Sequence, residues 1–285
     1  MTYQTRPADP RLARPVSHLG YSDAALPAGR ELALPTGTPQ LLVRVPGGRL
    51  TAYGLDGAQA VQTAGGGAAL AGPADRPSVI DPSEQNGIVW VAFRPGGAYP
   101  FFPVGGADVR NRLVDLADLW GSAAACSAQE RIASAADPWA ILRAVETVLL
   151  ERAAHPPVLD LATGRAVAAL NAGTPVAAAA EALGWTPRRL ARTITAQVGL
   201  SPKRFGRVRR FQRLLAAAGD AAAGDAAAGD AAASGARPEP DWARLAAETG
   251  YYDQAHMIND FRALSGLTPG TYRPRARMRN HVRRD

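Results

Sequence analysis

One short pattern occurs twice in this chain, from Pro175 to Phe205 and again from Asp241 to Tyr272. Each copy reads as a small-residue helix, a glycine turn, a second amphipathic helix and a Gly-Leu-Ser/Thr-Pro exit with an aromatic residue three places beyond the proline. In the first copy Val176 to Leu183 suits a short helix, Gly184 gives a turn position without Cβ, and Pro187 stands where a second helix would begin. Leu190, Ile194 and Val198 then recur at helical spacing, so that helix packs on one side and turns Arg188, Arg192 and Thr195 to the other. The second copy repeats the plan with Trp242, Leu245 and Ala246 before Gly250, and with Met257, Phe261 and Leu264 as its inward stripe. Ala255, Asn259 and Arg262 face outward there, with His256 at the edge.

A helix with an apolar back and an Arg, Asn or His front suits the major groove of duplex DNA, because guanidinium bonds guanine in two places and amides bond adenine likewise. Gly199-Leu200-Ser201-Pro202 and Gly266-Leu267-Thr268-Pro269 strengthen the reading. In both, glycine can end the reading helix while Ser or Thr before Pro can start the next element. The plain alternative is a helical bundle with a basic surface.

The charge is unevenly divided. Residues 160–285 carry 19 basic and 11 acidic side chains, net +8, against 13 and 14, net −1, in residues 1–159, so a polyanion is the natural partner of the C-terminal part. Of the 32 basic residues only Lys203 is lysine, a bias that fits codon composition better than a site. One cysteine, Cys126, excludes an internal disulfide and a cysteine-based zinc finger, and is expected as a buried structural residue. With no signal-peptide core and no apolar run near the roughly 20 residues of a membrane span, a reducing cytoplasm is expected.

Length allows two domains, each with its own core. Residues 1–20 read as a loose leader. Apolar runs at Leu41 to Val45, Leu50 to Tyr53, Ala68 to Ala71, Ser78 to Ile80 and Ile88 to Phe93, separated by Gly and Pro clusters, predict an antiparallel β region, a barrel or sandwich. Val109, Leu113, Leu116 and Trp120 share one helical face, and Trp139 to Arg152 predicts another helix, stopped by His155-Pro156-Pro157. The expected fold is therefore α+β, with a β-rich regulatory or dimerisation domain over 1–157 and an all-α domain over 160–275. In the latter the helix-turn-helix units cover about 175–199 and 241–266, joined by a basic helix from Phe205 to Ala218, with a basic tail over 276–285. Ala-Ala-Ala-Gly-Asp, repeated from Ala216 to Asp230 within a low-complexity stretch of about 216–240, reads as a flexible insertion, since each glycine costs about 1 kcal/mol in a helix and no apolar stripe offsets it.

At residues 160–275 the chain resembles the AraC/XylS family of bacterial transcription regulators. Gly184-Trp185-Thr186-Pro187-Arg188-Arg189-Leu190, Gly199 to Phe205, and above all Gly250-Tyr251-Tyr252-Asp253-Gln254-Ala255-His256 with Phe261 and Gly266-Leu267-Thr268-Pro269 carry the likeness. It implies two helix-turn-helix units rigidly joined by one helix, reading successive major-groove segments on one face of the duplex. Asn259 stands where many members have arginine and Ile194 where many have phenylalanine; the first alters readout, the second only packing. Val89 to Ala98 followed by Leu113-Val114-Asp115-Leu116 is similar to the regulatory domains of one subset, which implies sensing or dimerisation without naming a ligand.

The expected DNA contacts are Arg188, Arg189, Arg192, Thr195, Gln254, Ala255, His256, Asn259 and Arg262, with Lys203, Arg207 and Arg210 on phosphates. Gln254 can equally reach DNA or bond back to the turn, and the arginines from Arg273 to Arg284 can reach phosphates or form a solvated end, the commoner outcome. Gly20-Tyr21-Ser22-Asp23-Ala24 lacks the strand and helix flanks of a nucleophile elbow, and Pro95-Gly96-Gly97 is expected as a tight turn. His18, His155, His256 and His281 form no zinc-binding or general-base cluster, so no metal, cofactor or catalytic set is expected. Partners are double-stranded DNA, and beyond it RNA polymerase, a small apolar or amphipathic effector, or a second copy of the chain, with no membrane. The competing readings are a DNA-targeted enzyme with a small-molecule-processing N-terminal domain, and a non-specific nucleoid protein. Operator, effector, sign of regulation and oligomeric state are not written in these residues.

Overall fold

A computed structural model describes residues 3–45, 47–55, 60–153, 160–227, 240–275 and 278–283. The expected α+β organisation is present: antiparallel sheets and three helices lead into a helical region that carries two helix-turn-helix units. The five apolar runs become β4 (Gln40–Arg44), β5 (Leu50–Tyr53), β7 (Ala68–Ala71), β8 (Ser78–Ile80) and β9 (Ile88–Phe93). With β1 (Tyr3–Arg6), β2 (Val16–Ser22), β3 (Glu31–Ala33), β6 (Ala60–Ala64), β10 (Leu113–Asp115), β11 (Pro274–Arg275) and β12 (Met278–Arg283) they make two six-stranded sheets. One runs in the order β1-β2-β9-β4-β7-β10, the other β11-β12-β3-β8-β5-β6.

Strand alternation sorts the side chains between layers. Leu41, Val43, Val89, Val91 and Phe93 face helices α1 (Leu116–Trp120), α2 (Ser122–Ala133) and α3 (Pro138–Arg152) in the largest core. Their neighbours Leu42, Ile88 and Trp90 face the other way, where they meet Leu50 and Ala64 of the second sheet. Trp90 and Phe93 thus part to opposite faces of β9. Between the sheets lies a cavity of about 1490 Å³, which Leu42, Tyr53 and Trp90 line with Val167, Arg209 and Gln212 from the helical region.

The helical region comprises α4 (Leu161–Ala172), α5 (Val176–Glu181), α6 (Pro187–Val198), α7 (Pro202–Ala227), α8 (Trp242–Thr249) and α9 (Gln254–Ser265). The first unit closes its own core from Leu170, Ala179, Leu190, Ile194, Val198 and Phe205. The second does not, and here two independent cores give way to a shared one. Phe211, Leu214, Trp242, Met257 and Phe261 pack together with Leu32 and Val79 of the second sheet, with Leu34 just past β3 and with Val282 of β12.

Several local expectations are corrected. The segment read as a leader holds β1 and β2, on either side of a 3-10 turn at Pro10–Leu12, and Arg6 is fixed by a two-pronged ion pair to Glu146 of α3. The prolines there break the chain between strands without removing them. Val109 to Trp120 is not one helix, because Leu113 packs on the opposite face of the first sheet from Val109, Leu116 and Trp120, and Asp115 caps α1 by accepting from the Ala117 amide at 2.9 Å. The basic end is not simply solvated: residues 281–283 pair antiparallel with β3. Helix α7 runs on into the alanine-glycine-aspartate repeat as far as Ala227, where the reading was a flexible insertion, since three alanines in five offset the glycine penalty once a helix is already nucleated. The rest of that repeat, and the His155-Pro156-Pro157 linker with the domain boundary near 157, lie outside the described residues. Cys126 is exposed instead of buried, and its thiol donates to Glu130. That bond, with the carboxylate charge, holds the thiol above its ordinary pKa and so less reactive.

Candidate nucleic-acid interface

Local chemistry fixes α6 and α9 at both ends. Thr186 caps α6 by accepting from the Arg189 amide at 3.2 Å, and Asp253 caps α9 by accepting from the His256 amide at 2.7 Å. Gly199 and Gly266 end them in the left-handed conformation. Leu190, Ile194 and Val198 are buried under α6, and Met257, Phe261 and Leu264 under α9, which leaves opposite faces outward.

On α6, Arg188, Arg189 and Arg192 are exposed and Thr195 is half-buried. Arg188 and Arg192 make no hydrogen bond or ion pair to any described residue, whereas the Arg189 guanidinium lies over the Trp185 ring at 4.7 Å. On α9, Gln254, Ala255, Asn259 and Arg262 are exposed and His256 is half-buried. Because Asp253 already serves the turn, Gln254 stays on the outer surface, free of bonds to described residues. Tyr252, at the turn before α9, is 93% exposed, an aromatic side chain on this surface that residue spacing did not single out. A phenol ring in a turn carries no periodicity signal; only its exposure marks it.

The connecting helix uses its arginines differently. Lys203 is exposed at its start, with no hydrogen bond or ion pair among the described residues, while Arg204 pairs with Asp75 of the β-rich region at 2.8 Å. Arg207 pairs with Asp260 of α9 at 2.7 Å, and Arg210 lies over the Tyr251 ring at 5.2 Å. Arg213 donates to the carbonyl of Asn171 at 2.6 Å, where α4 ends, and to that of Thr249 at 3.5 Å, where α8 ends. A guanidinium suits those two helix C-termini, whose carbonyls carry partial negative charge. Burial, then the neighbouring charge of Arg210, lowers its pKa, though no arginine approaches neutrality at physiological pH. Burial also pushes the Tyr251 phenol far up, with Asp260 adding to the shift, so it stays neutral.

Chemistry of other kinds finds little support. Ser22 is buried and its hydroxyl accepts from the Ala24 amide at 3.3 Å, while Gly97 closes a turn on Arg94. Among the described residues no three His, Cys, Asp or Glu side chains gather to hold a metal, and no helix is long and apolar enough to cross a membrane.

No family model and no curated protein matches the chain. Two solved structures of ToxT from Vibrio cholerae are similar to it in fold. One aligns over 95% of this chain and 98% of its own at 8% identity with a TM-score of 0.46. The other, from Vibrio cholerae O395, aligns over 95% and 96% at 10% identity with a TM-score of 0.40.

Proposed function

We propose that this chain is a sequence-specific, DNA-binding transcription regulator of the AraC/XylS type that works in the cytoplasm by binding, without catalysis. The observation that carries this is the pairing of two outward basic or polar helix faces, on α6 and α9, whose units are spanned by the single helix α7 and tied through Arg213. Arg188, Arg192, Asn259 and Arg262 are the base-reading candidates, since they are exposed and uncommitted to described residues. Arg189, Thr195, Gln254, Ala255, His256 and Lys203 border them. The cavity between the sheets would hold a small-molecule effector, because it has apolar walls, a few polar groups and a boundary shared with α4 and α7. RNA polymerase and a second copy of the chain are further partners of this reading.

Selection of binding sites from random duplexes by the purified full chain tests it. A recovered consensus, bound far more tightly than scrambled DNA and with affinity falling as salt rises, supports the proposal. Equal affinity for all sequences would support a nucleoid protein in its place.

A further inference from the structure

The arginines of α7 look like a phosphate-binding row, and one of them, Arg207, has a buried carboxylate as its partner. Asp260 lies on the inner side of α9 and is only 7% exposed. One of its oxygens, Oδ1, accepts from Arg207 Nε at 2.7 Å. The other, Oδ2, is buried with no hydrogen-bond partner among the described residues and stands 3.8 Å from His256 Nε2. His256 in turn accepts at Nδ1 from the Tyr252 amide at 3.5 Å, which leaves its Nε2 hydrogen on the side of Asp260. The histidine belongs to the outward edge of the reading helix; the arginine belongs to the connecting helix. A single buried carboxylate stands between them.

We propose, on the premise that the chain binds DNA, that Arg207 is a positioning residue: through Asp260 it fixes α9, and with it His256, against α7, and it does not hold a phosphate. The balance of energies favours this. Were Arg207 to swing out to a phosphate, Asp260 would be left as an uncompensated buried carboxylate. The Arg207 side chain is 42% exposed while that of Asp260 is 9% exposed, so the loss falls on the carboxylate, left buried without its charged partner, and a solvent-exposed ionic contact returns little against it. The pair also crosses between elements far apart in sequence, so its strength goes into the angle between helices instead of local helix stability. A reading helix displaced by about 1 Å loses the two-point geometry on which base discrimination depends.

The experiment compares the full chain with Arg207→Ala, Asp260→Asn, their combination, and Arg207→Gln. Affinities are measured on the selected duplex and on a scrambled one across a salt series, with thermal unfolding run on each variant. The expected result is that Arg207→Ala and Asp260→Asn lower the specific-to-scrambled ratio by similar factors, roughly tenfold, and that the combination is no worse than either. The slope of log affinity against log salt stays that of the parent chain. Arg207→Gln, whose amide still donates to the carboxylate, keeps most of the specificity. A slope shallower by about 0.9 in both Arg207→Ala and Arg207→Gln, with Asp260→Asn discriminating normally, would instead make Arg207 a phosphate contact and overturn the proposal. If a variant fails to fold, Arg207→Gln alone decides through its slope and its ratio. Failure of the parent chain to bind any duplex would remove the DNA-binding reading itself, an outcome distinct from a changed slope in a chain that binds.

Discussion

The backbone amide of Gly106 donates to the carbonyl of Ala196 across 2.9 Å, which seats a loop of the β-rich region on the last turn of α6. The same loop meets Gly199, whose φ is +87° and where an added Cβ would collide with the Gly106 carbonyl. The β-rich region therefore touches α6 at the end opposite to its cap, within reach of the surface proposed to read DNA.

Gly199→Ala is accordingly expected to destabilise the chain by about 1 to 3 kcal/mol, from the left-handed backbone alone, with the collision adding to it. Urea unfolding at unchanged m-value measures this. A loss below roughly 0.5 kcal/mol would mean that the Gly106 loop yields freely and does not brace α6.

Arg192→Ala should leave stability unchanged, because the side chain is exposed and bonded to no described residue. On the selected duplex it should cost about 1 to 3 kcal/mol and relax discrimination within one half of the site. Titration of the variant against both duplexes checks the assignment, which fails if scrambled and selected DNA lose affinity alike.

The isolated segment 160–285 should fold poorly although it contains both units. Without Leu32, Leu34 and Val79 the faces of Phe211, Trp242 and Phe261 that they cover meet water. Within the full chain, Leu32→Ala should cost about 2 to 5 kcal/mol, as for other buried leucines. Dye binding and a broad thermal transition in the segment, reversed by adding residues 1–157, would show the shared core at work. A sharp transition in the segment alone would count against it.

Deletion of residues 221–233 should change affinity for the selected site by less than about tenfold, or 1.4 kcal/mol. The buried stripe of α7 runs through Val208, Phe211, Leu214 and Leu215 to Ala218, ahead of the deletion. A larger loss would show that the repeat sets the separation of the two units.

The contact between Asp75 and Arg204 gives a pH signature. Burial pushes the Asp75 carboxyl up, but hydrogen bonds from Asn111 and Arg204 outweigh it and hold the folded pKa below the ordinary 3.8. A depressed folded value means stability that is fully present above 3.8 and is lost as pH falls through the folded pKa. The difference in unfolding midpoint between the parent chain and Asp75→Asn should therefore be constant near neutrality and shrink only in strong acid. A difference that shrinks already between about pH 6 and pH 5 would assign it to another group.

Much of this was legible in the residues. The strands bounded by Gly and Pro, and the stripes Leu190-Ile194-Val198 and Met257-Phe261-Leu264, announce themselves by period. β3 and β12 do not, since neither carries an alternating apolar run; β3 is held between β8 and β12, partners that no local rule links to it. The arginines of α7 were legible as charge but not as contacts. No local rule links Arg207 to Asp260 or Arg213 to both Asn171 and Thr249, since these meet only once the helices have packed.

The pairing of β3 with β12 also orders events during synthesis. Glu31, Leu32 and Ala33 leave the ribosome long before Arg283, Val282 and His281, the residues they pair with. Until then the edge of that sheet is open and the apolar faces of Leu32 and Val79 await the helices that cover them. A nascent chain of this protein must carry an unfinished sheet until residues 281–283 emerge, so that sheet and the second helix-turn-helix unit reach their native form together.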